Sequence, residues 1–187
     1  MPRPNWFFAF PLDGAFVEML PELPTGFRLY HPDDVHLTLA FLGGCGDAGA
    51  ERALQLLDEL LPQSGQPPIA VSLGHIAAMG SKTRYSALSA LLERGRAETE
   101  ACMRQFRDPL LEAACGRREQ REPKAHVTLA RPRHRATDAQ RDAGLSWARA
   151  VDLSAVEAVL DRIVLYTWSE NRSERLFRQV AERRLPG

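Results

Sequence analysis

Strands and helices interleave along this chain, which predicts an α+β or α/β protein. Two observations carry that prediction. Short runs of aromatic, β-branched and leucine residues end at glycine or proline, as strands do, and between them lie longer stretches with alanine and leucine at helical spacing. A third observation adds symmetry. HLTLAFLGG at 36–44 and HVTLARPRH at 126–134 are near copies, each reading as a strand that follows a helix-and-loop stretch. The echo predicts two lobes related by a pseudo-twofold axis, each lending one strand to a shared cleft.

Taken in order, Asn5–Phe10 is an aromatic run ended by Pro11, a predicted strand, and Asp13 caps a predicted helix through Leu20 that Pro21 and Pro24 stop. Phe27–Tyr30 reads as an edge strand and His36–Leu42 as a strand stopped by Gly43 and Gly44. Ala50, Ala53, Leu54, Leu57, Leu60 and Leu61 make Asp47–Leu61 a helix closed by Pro62. Ile69–Leu73 and Arg84–Leu88 are predicted strands around a turn at Gly80 and Ser81. Arg94–Ala114 has the longest apolar stripe, with Pro109 placed to kink or divide it. Ala125–Ala130 is a strand, Asp138–Arg149 a helix capped by Thr137, and Asp161–Trp168 with Arg175–Ala181 a closing hairpin that turns at Glu170 and Asn171.

The composition narrows the class. With 187 residues, 44% apolar and 26% charged, the chain is that of a globular protein able to bury a core. Lys plus Arg equals Asp plus Glu at 24 each, so a long nucleic acid would lack the basic excess it usually needs; a nucleic-acid substrate would be met at a chain end, by a local patch. Arginines do crowd the last third, at 131, 133, 135, 172, 175, 178, 183 and 184. The three cysteines, Cys45, Cys102 and Cys115, have neither CxxC spacing nor an even count, which argues for reduced thiols. The opening apolar run is too short for a signal peptide and no stretch approaches a membrane span, so a cytoplasmic, membrane-free protein is expected.

On a strand, residues i and i+2 share a face. His36 therefore points with Thr38, and His126 with Thr128, while Leu37, Leu39, Val127 and Leu129 anchor the opposite face in the lobe cores. Displacement at phosphorus needs one group to take a proton and another to give one, and imidazole can do either near neutrality. Threonine hydroxyls can donate to non-bridging oxygens and an arginine can neutralise the growing charge; Arg131, at the end of the second strand, is the candidate. Neither motif carries a carboxylate, and no metal-ligand set such as HExxH accompanies the histidines. With five histidines and seven threonines in the whole chain, two HxT pairs in one H-[LV]-T-L-A setting are not a chance pattern. His31, His75 and His134 lack the pairing. Tyr85 and Phe7 are candidates to stack a base, with core packing favoured for Phe7, and the basic run 131–135 could meet RNA phosphates.

HLTLAFLG and HVTLAR resemble the two signature motifs of the 2H phosphoesterase superfamily, specifically the bacterial and archaeal RNA 2′,3′-cyclic phosphodiesterases historically called 2′-5′ RNA ligases. The likeness extends over nearly the whole chain: WFFAFPL is similar to the family's first strand, Arg28 precedes the first motif at about the family's distance, and IVLYTWSENRSERLFRQV resembles its closing hairpin. One departure is visible at the start, where Asn5 and Trp6 stand at the family's arginine and Arg3 is displaced. The resemblance implies one bilobal α+β domain over residues 1–187, two antiparallel sheets with flanking helices around a central groove, and no metal or nucleotide cofactor. A monomer is expected, and the resemblance implies that it opens a terminal 2′,3′-cyclic phosphate on RNA to a 2′-phosphate, with His36 protonating the departing 3′ oxygen and His126 activating water; the residues alone do not say which histidine is which. Three other readings share these residues: a phosphodiesterase for another cyclic nucleotide, cleavage or joining of a 2′-5′ linkage, and a nucleotide- or RNA-binding module without turnover. A binding module has no need of two titrating groups.

Overall fold

The computed structural model describes residues 3–81 and 84–186. Its strands are β1 (Trp6–Pro11), β2 (Phe27–Leu29), β3 (His36–Gly43), β4 (Ile69–Gly80), β5 (Tyr85–Arg94), β6 (His126–Pro132), β7 (Glu157–Leu160), β8 (Arg162–Trp168) and β9 (Phe177–Arg184). The helices are α1 (Gly46–Ser64), α2 (Arg96–Cys115) and α3 (Asp138–Ala150). The class is α+β, a curled antiparallel half-barrel with three helices.

All strand pairings are antiparallel, in the order β7-β4-β5-β6-β3-β1-β8-β9, with β2 added beside β6. The order is a palindrome: β6 answers β3, β5 answers β1, β4 answers β8 and β7 answers β9. The two predicted sheets meet edge to edge where β3 and β6 pair at Leu37 and Val127 alone, so the echo segments lie side by side on the pseudo-twofold axis. Helix α2 packs on β3 and carries α1, and α3 covers β4 and β5. One core runs through both halves, from Phe8, Phe10, Leu37 and Leu39 to Phe106, Leu110, Val127 and Leu129.

Several boundaries differ from the sequence reading, each for a local reason. Between Gly14 and Pro21 there is room only for a 3-10 turn, Ala15–Met19, with Asp13 Oδ1 accepting from the Ala15 N–H at 3.0 Å; so short a segment does not reward nucleation of an α-helix. Pro62 does not close α1, which ends instead on Gly65 in the left-handed region (φ 61°). Pro109 lies inside α2, which continues to Cys115 because Phe106, Leu110, Leu111 and Ala114 keep its stripe buried. β4 runs on past Leu73 through GHIAAM, where Gly74 lies close against Glu93 of β5. β7 was invisible to the pattern: it is a four-residue edge strand beside β4. Thr137 caps α3 as expected, in a reciprocal box with Gln140. Among the described residues no helix is long and apolar enough to cross a membrane.

Candidate active site

Because β3 and β6 lie side by side, the two HxT pairs meet on one concave face. Both imidazoles are fixed in the same way. His36 Nδ1 lies 2.7 Å from the Asp34 carbonyl oxygen, and His126 Nδ1 lies 2.7 Å from that of Lys124. A carbonyl only accepts, so Nδ1 carries the hydrogen and Nε2 is left as the nitrogen able to take a proton in both rings.

The surroundings of the rings differ. Phe7 and Phe177 lie 4.8 and 5.5 Å from the His36 ring, with Tyr166 at 5.8 Å and Tyr30 at 6.5 Å. Burial among these rings, with the positive charges of Arg131 and His126 nearby, pushes the His36 pKa down to about 4. His126 is also held below the ordinary imidazole value, first by burial and then by the cations Lys124 and Arg131. The imidazolium form of both histidines is thus disfavoured in the free protein.

Thr128 Oγ1 lies 3.2 Å from Ser89 Oγ, and Ser89 is fully buried. The register opposes Thr38 to Ala9 instead, and among the described residues the Thr38 hydroxyl has no hydrogen-bond partner in the protein. Arg131 stands 5.7 Å over the Tyr30 ring and disfavours the charged form of both histidines. One guanidinium therefore acts electrostatically on both imidazoles.

Each HxT strand carries a bulge directly after the threonine. Phe8 opposes Ala40 while Ala9 opposes Thr38, leaving Leu39 extra. On the other side Leu88 opposes Ala130 while Ser89 opposes Thr128, leaving Leu129 extra. The extra residue breaks strict alternation and turns the next outward side chain back onto the groove face. In β6 that side chain is Arg131; in β3 it is Phe41, half-exposed at 50%.

Tyr85 is a correction. Only 5% of it is exposed; its ring packs on Phe27 and its hydroxyl donates to the Arg141 carbonyl at 2.7 Å. The alternation of β5 turns it under α3, so it has no face to offer a base. Phe7 is core, as favoured, but its ring is also a wall of the His36 pocket. His31 caps a 3-10 turn by accepting from the Asp33 N–H, His75 is exposed on β4, and Arg133, His134 and Arg135 form an exposed loop after β6.

The sequence reading missed Asp34. It is 1% exposed, and besides the carbonyl that holds His36 it offers its carboxylate to the N–H groups of Leu176 (2.8 Å) and Phe177 (3.1 Å). It thereby ties the start of β9, with the Phe177 ring, against His36. An aspartate in a loop two residues before a motif histidine gives no periodic signal. Among the described residues no three His, Cys, Asp or Glu side chains gather as a metal-ligand set.

Residues 15–88, which include the first HxT strand, match the family model described as LigT like Phosphoesterase. Over that stretch the chain is similar to the LigT-like phosphoesterases. No match is found among curated protein sequences. The fold is that of E. coli LigT: the apo structure superposes with a TM-score of 0.69 at 19% identity, and the complex with 3′-AMP with 0.70 at 20%, each covering 100% of both chains. TT0787 of Thermus thermophilus gives 0.72 at 18% identity over 97% of each chain. Crystals of E. coli LigT have also held NADP+, ATP and phosphate. The coverage extends the likeness in fold past the family model to β6, so both HxT strands sit on the shared fold.

Proposed function

We propose that the protein is an RNA 2′,3′-cyclic phosphodiesterase that opens a terminal 2′,3′-cyclic phosphate to a 2′-phosphate in one bilobal domain. The observation that carries this reading is the matched pair of imidazoles: each holds Nδ1 on a backbone carbonyl, and both sit within the influence of Arg131. Binding of 3′-AMP by E. coli LigT supports a nucleotide in this groove. Thr38 and Thr128 donate to the non-bridging oxygens and Arg131 offsets their charge. In the assignment implied by the family resemblance, His126 takes a proton from water as its oxygen bonds to phosphorus. The bond from phosphorus to the 3′ oxygen breaks as His36 gives that oxygen its proton, and the two imidazoles end with exchanged protonation states. His36 is hard to protonate in the free protein, so its proton is taken up together with the phosphate anion.

Every step runs through side chains of this chain, and turnover of an oligonucleotide ending in a 2′,3′-cyclic phosphate is expected to persist in EDTA with the 2′-phosphate as product. Product analysis by chromatography against 2′- and 3′-phosphate standards checks this. Loss of turnover on chelation, restored by a divalent ion, or a 3′-phosphate product, would overturn the mechanism.

A further inference from the structure

The two threonines of the groove are not equivalent. Ser89 and Thr128 stand directly opposite each other on β5 and β6, and opposed residues of an antiparallel pair share a face. Ser89 therefore lies on the groove side of the sheet, yet it is fully buried, as a floor beneath Thr128. The position that answers it in the other half is Ala9, which stands opposite Thr38 on β1 and offers a hydroxyl nothing. Around Ser89 the strand reads Ala87, Leu88, Ala90, Leu91 and Leu92, all buried. A serine in such a stretch is a polar group in the core and needs a partner. Its hydroxyl meets one among the described residues, Thr128 Oγ1 at 3.2 Å.

That single contact has a direction. The Ser89 hydroxyl has one hydrogen, and Thr128 Oγ1 is the one acceptor it meets among the described residues. Were Thr128 the donor, the Ser89 hydrogen would be left buried and unpaired, the less stable arrangement. Ser89 therefore donates and Thr128 accepts, which leaves the Thr128 hydrogen to point into the groove. A hydroxyl that accepts one hydrogen bond donates a stronger one. Thr38 has no such neighbour, so its hydroxyl is free to turn.

Resting on the phosphodiesterase reading above, we infer that Ser89 is a positioning residue that holds Thr128 as a preset donor to a non-bridging phosphate oxygen. Thr38, by contrast, is oriented by the substrate itself. A donor aimed before the reaction contributes most where negative charge grows. The cyclic ester carries one negative charge on its non-bridging oxygens. A second develops as the water oxygen, its proton taken by an imidazole, bonds to phosphorus. The effect of Ser89 therefore falls on the rate and on binding of the dianionic product, and little on KM for the ester.

The test is a double-mutant cycle, read on turnover of adenosine 2′,3′-cyclic phosphate and on calorimetric binding of adenosine 2′-monophosphate. Thr128→Val is expected to lower kcat by about 10²-fold. Ser89→Ala should lower kcat, and raise Kd for the monophosphate, by about 2- to 10-fold, with KM for the ester within about twofold. Added to Thr128→Val, Ser89→Ala should cost nothing further, because its hydroxyl acts through that of Thr128; added to Thr38→Val, its loss should multiply in full. Ser89→Cys fills the same space with a weaker donor, should keep part of the rate, and carries the test if Ser89→Ala melts early. A loss that multiplies in the Ser89→Ala/Thr128→Val variant, or wild-type kcat and Kd in Ser89→Ala, would overturn the positioning role while leaving the hydrolase reading intact. If the wild type does not turn over the ester, the hydrolase reading fails, and the same cycle on Kd decides the role of Ser89. Neither turnover nor binding by the wild type overturns both.

Discussion

In the β3 half-site the imidazole of His36 stands among Phe7, Tyr30, Tyr166 and Phe177; in the β6 half-site that of His126 lines an open cavity beside Lys124. The backbones of the two are nearly interchangeable. Both strands read half-buried, buried, half-buried, buried, buried, exposed from the histidine onward, both carry the bulge after threonine, and both histidines bond the carbonyl two residues back at 2.7 Å. The side chains are where they part. The outward residue past the bulge is Phe41 in one and Arg131 in the other, and the threonine faces alanine in one and a buried serine in the other. A duplicated backbone has fixed the positions of the two titrating groups, while the unduplicated side chains give one half an apolar wall and the other a cationic one.

The largest effect tests whether the halves work as one unit. His36→Ala or His126→Ala is expected to lower kcat by about 10²–10⁴, with the double variant no worse than either single one. Single-turnover rates on a cyclic-phosphate oligonucleotide check this, with His75→Ala as a control that keeps its turnover. Two defects that multiply in the double variant would mean that the half-sites act independently.

A smaller effect probes the wall peculiar to β3. Asp34→Ala leaves two half-buried backbone N–H groups without their acceptor, at a cost of about 1 kcal/mol each, and frees the Phe177 side of the His36 pocket. Melting temperature should fall, and kcat should drop by up to about 10²-fold through misplacement of His36, with KM little changed. Asp34→Asn, which can still accept one of the two bonds, should recover part of both. Unchanged kcat in a variant with lowered melting temperature would reduce Asp34 to a structural tie.

The sequence displayed the symmetric part of this molecule and hid the asymmetric part. The HxT pairs, the strands that hold them and Thr137 at the head of α3 all follow from alternation and capping, which are local rules. Arg131 was legible because it follows a motif. Phe41 was not, because alternation assigns it to the core and a bulge, set by partner strands far away in the chain, reverses the assignment. Tyr85 failed for the converse reason: an aromatic near a predicted strand end looked available until α3 covered it. Asp34 acts through β9, 142 and 143 residues later, and nothing local marks that contact.

The smallest expected effect is a displacement of the pH profile, and it sharpens the contrast between the two imidazoles. Catalysis needs one of them neutral and one protonated, which alone predicts a bell around neutrality. Burial and the nearby cations, however, hold both below the ordinary value of 6.5, His36 at about 4. Below the lower of the two values both rings are charged and no base remains; above the higher one both are neutral and no acid remains. The kcat/KM profile, which reports the free enzyme, should therefore peak on the acid side of 6.5, its limbs belonging to the coupled pair. A bound phosphate anion favours imidazolium, so the kcat profile should lie at higher pH than that of kcat/KM. Arg131→Ala removes a cation that disfavours both charged rings and should move both limbs of kcat/KM upward even as the rate falls. Initial rates from about pH 4 to about pH 9 on wild type and Arg131→Ala, a span that brackets histidine titration, decide the matter. A wild-type kcat/KM maximum above about pH 7 would show that the two imidazoles are not held down in the working enzyme, and limbs that move down in the variant would show that Arg131 does not disfavour their charged forms.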